Sequence, residues 1–343
     1  MSHPIRIAIS GGGLAGAYLI HALLNYNLLD VHIFESAATF KEAGAAIGVA
    51  RNALAALDLI GHSAARCLER AGAVPMRGVR FMLAQELLAD VPRERMHASK
   101  KLDKVDQNHD GSIRLHFADG TTHECDILVG AEGIYSTVRK FILGEGDPAA
   151  FPRNTGSWAV MTLKPYAEAR ASIGERPVDI EDAREYISEE IKKLYQFWPP
   201  HFNKAVNEPP ARSYVSGPIC IMGDAAHATT PWQGSGGGMS IEDSLILSSL
   251  FGRAKTPAEA VTALKVYGQA RRPRTQRIVE SSRVTGTILA GRGEGTGLDL
   301  RKLREKLLPR WDFIIDFDNE KHCNEAVQLM ERELEKGNIV GSE

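Results

Sequence analysis

An α/β fold is predicted for this chain, with a parallel sheet flanked by helices and assembled from both ends of the sequence. Three observations carry the prediction. Residues 5–35 read as strand, glycine-rich loop, helix and second strand. Residues 219–243 hold another strand, a Gly-Asp turn and a glycine-rich helix start. The stretch between them changes composition, with prolines at 152, 165, 177, 199, 209 and 210. Strands that alternate with helical patterns build parallel sheets.

The elements follow in order. The apolar run 5–10 is a strand, the glycines of 11–16 a turn, 17–29 a helix, and 31–34 a strand ending at Glu35. Helical spacing over 52–60 stops at Gly61, whereas 71–95 has no clear period. Alternation over 113–117, followed by Asp119-Gly120, predicts a hairpin. Residues 125–130 read as one buried strand, and 181–197 as a helix whose charged run 181–193 faces solvent. Long helical patterns occupy the chain after 252. The expected organisation is 1–150 and 215–251 for the sheet domain, 151–214 for a short α+β insert, and 252–343 for a helical region.

Composition limits the function. The chain has 343 residues, about two domains at ordinary domain size. Its 41 Lys and Arg nearly balance 43 Asp and Glu, so no broad electrostatic case exists for nucleic acid or an anionic membrane as partner. No apolar run approaches the ~18 residues of a membrane span. The start of the chain leads into a strand rather than a secretory signal. Cys67, Cys125, Cys220 and Cys323 are widely spaced, which argues against a zinc site or disulfide framework. A soluble cytoplasmic protein of open oligomeric state is expected.

Gly11-Gly12-Gly13-Leu14-Ala15-Gly16 fits the G-x-G-x-x-G pattern of a Rossmann-like βαβ unit. In that pattern the first glycine permits the tight turn and the second admits a pyrophosphate close to the backbone. The third lets helix and strand pack closely. Glu35 ends the next strand at the spacing of a carboxylate that binds a ribose diol. These features point to an adenine dinucleotide and leave NAD and FAD open. The motif at 220–243 separates them. Asp224, on the Gly-Asp turn, suits ribityl hydroxyls, and the helix start at 237–239 offers N–H groups to the N1–C2=O edge of a reduced flavin.

With these motifs in order, and with 125–139 between them, the chain resembles the FAD-dependent aromatic hydroxylases, most of all the fungal salicylate hydroxylase-like branch. The resemblance implies FAD contacts from Gly11, Gly13, Leu14, Ala15, Gly16, Glu35, Ala46, Gly48 and Glu132. It implies further contacts from Asp224, Pro231, Gly236, Gly237, Gly238 and Met239. It also implies that NADH or NADPH reduces the FAD and that one atom of O2 passes to a small phenolic or salicylate-like ring. No general base is assigned.

The chain departs from the family at several points. Glu132-Gly133 stands where Asp-Gly is usual, and Arg51 where proline is usual. The helix body near 84–88 lacks its usual His-Arg start, for which Arg80 is the nearest, unfavoured substitute. The middle segment, 151–214, is short. A degenerate flavin-binding homologue without hydroxylase activity is therefore the rival reading, and other flavin oxygenations share the same motifs. His227 is expected to be a structural histidine bonded to a backbone group, and Arg271, Arg272 and Arg274 a solvated or ion-paired face. Trp232 and Met239 could line the flavin or simply pack. Trp158, Tyr166, Tyr195 and Trp198 are expected in the core.

Overall fold

The computed structural model describes residues 3–40, 48–70, 84–159, 203–207 and 209–340. The chain forms two compact units, one of Met1–Arg153 with Asn207–Glu343, the other of Asn154–Val206. In the second, β8 (Arg153–Ala159) pairs with β9 (Asn203–Asn207). The helix expected at 181–197, and Tyr166, Tyr195 and Trp198, lie outside the described residues, as does the side chain of Trp158. So does Arg80.

The first unit is built on a six-stranded sheet in the order β10-β11-β7-β1-β2-β3. β1 (Ile5–Ser10) lies at its centre, parallel to β2 (Leu29–Phe34) on one side and β7 (Ile127–Gly130) on the other. β11 (Ile219–Ile221) continues the parallel set beside β7, and β3 (Met96–His97) beside β2. Only β10 (Val215–Ser216) is antiparallel. The central strands are apolar almost throughout because helices cover both faces. Thus strands from before and after residues 154–206 contribute to one sheet.

The expected strand at 125–130 is two elements. β6 (Thr122–Cys125) ends a three-stranded antiparallel sheet with β4 (Leu102–Gln107) and β5 (Ile113–Phe117), while β7 enters the large sheet. The break falls at Asp126, whose carboxylate accepts from the Arg6 backbone N–H at 2.9 Å and the Arg6 guanidinium at 2.6 Å. An apolar run conceals this change of sheet because the residues on both sides of it are buried. The Asp119-Gly120 hairpin turn is present, with Phe117 N–H bonded to the Thr121 carbonyl.

Eleven α-helices occur among the described residues. α1 (Leu14–Leu23) follows β1, and α2 (Arg51–Ile60) ends at Gly61. α3 (His62–Arg70), α4 (Ala84–Leu88) and α5 (Thr137–Leu143) follow in sequence. α6 (Asp224–His227) is a single turn, succeeded by α7 (Gly236–Phe251) and the long α8 (Pro257–Leu289). α9 (Leu300–Leu307), α10 (Asp312–Ile315) and α11 (Asn319–Val340) complete the chain. α7 packs against α1, α2, α8 and α11. A helix surrounded in this way must bury its polar groups as well as its apolar ones, so Glu242 and Asp243 need internal partners.

Candidate functional site

A cavity of about 1080 Å³ opens where β1, β2 and β7 end and α6 and α7 begin. Parallel sheets bind ligands beyond the carboxyl ends of their strands for a geometric reason: the loops diverge there and helix N-termini converge. Two of its walls come from stretches far apart in the chain.

The first wall is the glycine loop. Gly11 has φ +110° and lies against the Ala131 carbonyl, where a side chain has no room. Gly16 fits the same tight turn: its missing Cβ would collide with the Gly11 carbonyl. Gly13, by contrast, faces open space. Glu35 closes this wall, accepting from Gly12 N–H at 2.7 Å, Ala37 N–H at 2.7 Å and the Ser36 hydroxyl at 3.0 Å. Gly11, Gly13, Leu14, Ala15 and Glu35 all line the cavity.

The second wall is the Gly-Asp turn and the start of α7. Gly223 has φ +58°, and a Cβ there would lie 2.6 Å from that of Ala15, so the two motifs touch through their smallest residues. Asp224, Pro231, Gly236 and Gly237 line the cavity, as does Gly48. Asp224 is reached by solvent through the cavity, yet its dense protein surroundings push its carboxyl pKa up, opposed by the charge of His227. Gly238 and Met239 are exceptions to the expected set. Gly238 turns toward Ala53, and Met239 is fully buried with Ile278 and Ile314. Ala46 lies outside the described residues. Trp232 packs its indole on Gly286 of α8 and is absent from the lining.

Neither helix facing the cavity is capped by a side chain. α1 starts after Gly13 and α7 after Ser235, and neither carries an acid in its first turn. Glu242 and Asp243 fall in the second turn of α7. Both N-termini thus present backbone N–H groups and positive dipole ends to one cavity. That arrangement fits a ligand with two electron-rich groups, and the diphosphate and the isoalloxazine N1–C2=O edge of FAD meet the description.

Glu132 lines the cavity but turns its carboxylate to the start of α5. It accepts from the Ser136 hydroxyl at 2.6 Å and Val138 N–H at 2.9 Å, while burial pushes its pKa up against these bonds. Arg139, fully buried, donates to the carbonyls of Ala149, Ala225, Ala226 and Pro209 at 2.7, 2.8, 3.1 and 2.8 Å. It thereby secures α6 from behind.

Below the second wall lies a buried charge network. His227 donates to Asp243 at 2.6 Å, a carboxylate rather than the backbone partner expected. Arg271 binds Asp243 at 2.8 Å and Glu242 at 2.9 Å, and Arg274 binds Glu242 at 2.7 Å. Arg271 and Arg274 are therefore ion-paired but not on a solvated face. Asn52 of α2 also donates to Glu242 at 2.7 Å. Burial pushes the Asp243 carboxyl up, and His227 and Arg271 more than offset it, holding the pKa at about 2. Lys101 and Tyr135 also line the cavity. No motif singled out Lys101, and Tyr135 lay unremarked inside a recognised one.

These features define a flavin-binding oxidoreductase class, and comparison with known proteins narrows it. An FAD binding domain family model matches residues 182–282. The chain is 32% identical to 6-methylsalicylate 1-monooxygenase atA of Aspergillus terreus, over 98% of this chain and 94% of that one. It is 26% identical to salicylate hydroxylase of Pseudomonas putida, covering 94% of each. Among solved structures, a salicylate hydroxylase substrate complex superposes with TM-score 0.73 at 21% identity, over 94% of this chain and 98% of that one. The chain belongs to the FAD-dependent monooxygenases of the salicylate hydroxylase type, and FAD is its cofactor. No helix among the described residues is long and apolar enough to cross a membrane.

Proposed function

We propose that the protein uses FAD, NADH or NADPH, and O2 to hydroxylate a small phenolic or salicylate-like ring in the cytoplasm. The observation that carries this reading is the single cavity shared by the glycine loop, Asp224 and the bare N-terminus of α7. Bound FAD supplies the hydride acceptor and the oxygen-activating centre. The chain's own residues bind and orient it. Gly11, Gly13, Leu14, Ala15 and the α1 N-terminus hold the diphosphate, with Gly16 keeping helix and strand close. Glu35 accepts from the ribose diol, and Asp224 from ribityl hydroxyls. Gly48, Pro231, Gly236 and Gly237 flank the ring, where the α7 N–H groups favour negative charge.

The similarity to a 6-methylsalicylate monooxygenase supports a carboxylated phenol as substrate class. Purified protein is expected to be yellow. Its oxidation of NADH or NADPH should rise when salicylate or 6-methylsalicylate is added, with a hydroxylated product by mass spectrometry. Protein that stays colourless after incubation with FAD would overturn the reading.

One observation favours a second reading. The alignment to the Aspergillus terreus relative spans 423 positions against a chain of 343 residues, so the relative carries stretches this chain lacks. A homologue that binds FAD but does not hydroxylate would show flavin absorbance and reductant oxidation indifferent to any phenolic acid.

A further inference from the structure

We propose that Asp243 is the positioning residue of the flavin site, fixing the Asp224 turn against the N-terminus of α7. Its carboxylate is fully buried and touches no part of the cavity. Its Oδ2 accepts from Gly223 N–H at 3.1 Å and from His227 Nε2 at 2.6 Å. These donors bracket Asp224, one residue before it and three after.

The turn cannot hold this geometry alone. α6 has four residues and no side-chain cap at Gly223, and one isolated helical turn is unstable. Arg139 binds the carbonyl side of α6, whereas Asp243 is the anchor on its N–H side. The other oxygen of Asp243 is clamped by Arg271 Nε at 2.8 Å, so the carboxylate cannot rotate away. Arg271 in turn is paired with Glu242, which Arg274 and Asn52 hold.

The consequence is a fixed distance between two parts of the site. Asp243 belongs to the same rigid helix as Gly236, Gly237 and Ser240, which face the cavity. Holding the turn to that helix holds the Asp224 carboxylate in register with the α7 N–H groups. A ligand gripped at both points gains from this preorganisation. Buried ion networks are weak sources of stability compared with apolar packing, so precise placement is the better reason for this one.

The test uses the full chain with three variants, Asp243→Asn, His227→Gln and Arg274→Lys. FAD affinity is read from quenching of flavin fluorescence, the setting of the ring from visible circular dichroism, and fold stability from the thermal midpoint of flavin-stripped protein. Asp243→Asn and His227→Gln are expected to weaken FAD binding about tenfold, the scale on which outer-shell partners act, and to change the visible dichroism. Arg274→Lys, at the far end of the network, is expected to lower the thermal midpoint without either change. The proposal is overturned if His227→Gln and Asp243→Asn bind FAD like the parent. It is equally overturned if all three variants lose affinity in proportion to stability. Should Asp243→Asn fail to fold, His227→Gln decides alone, because it removes one bond and leaves the other partners of Asp243 in place.

Discussion

The two walls of the cavity achieve the same end by opposite means. The glycine loop is shaped by what is missing: at Gly11 and Gly16 a single methyl would strike a backbone carbonyl. The wall formed by the Gly-Asp turn and α7 is shaped by what is buried behind it, two carboxylates of α7 and two guanidiniums of α8. The first wall fails sterically and locally. The second fails electrostatically, through charges left buried without partners.

Substitutions can sharpen that contrast. The largest effect is expected from Gly16→Val. Its side chain meets the Gly11 carbonyl, which the sheet and the α1 start prevent from moving, so the cost is about 3 kcal/mol or more. Protein recovered from this variant should carry no flavin absorbance. Next, Arg274→Ala leaves Glu242 buried and short of a partner. A loss of about 3 kcal/mol in urea unfolding is expected, without a change in which ligand is bound.

The pH dependence of stability distinguishes the regions further. Burial, with neighbouring cationic groups, lowers His123 beside β2 and His322 of α11 to about 4. The unfolded chain therefore binds more protons than the folded one between about 6.5 and 4, and stability falls as pH drops through that window. Asp243, held at about 2 against an ordinary 3.8, extends the loss below pH 4. Urea midpoints at pH 7, 5 and 4 should decline, and His123→Gln should flatten the upper part of the decline. The smallest effect is expected from Arg114→Ala. It removes an exposed pair with Glu124, and its thermal midpoint should match the parent's.

Much of the first wall was legible in the sequence. The constraint on Gly11 comes from the distant Ala131 carbonyl, whereas Gly16 and Glu35 act through steric demands and hydrogen bonds within one βαβ unit, so spacing alone carries their geometry. The Gly-Asp turn was legible for the same reason. What escaped is telling. Arg271 and Arg274 read as a solvated or ion-paired face; the ion pairing holds and the solvation does not, because nothing in a helical period shows that α8 is enclosed. His227 was expected to bond to the backbone, since its partner lies in the next helix. Met239 sits among family contacts in the motif, but one step along the helix turns its side chain from the cavity toward Ile278 and Ile314. The strand at 125–130 hid a change of sheet at Asp126.

By itself, then, the sequence determined the class of fold, the cofactor and the residues whose conformation depends on near neighbours. Only the tertiary structure decided which charges meet. Asn52 and Glu242 are 190 residues apart and bond at 2.7 Å, and no local pattern encodes that approach. The reason is physical: a backbone turn is selected by the few residues in it, whereas the energy of a buried charge depends on whichever partners the completed fold brings within reach.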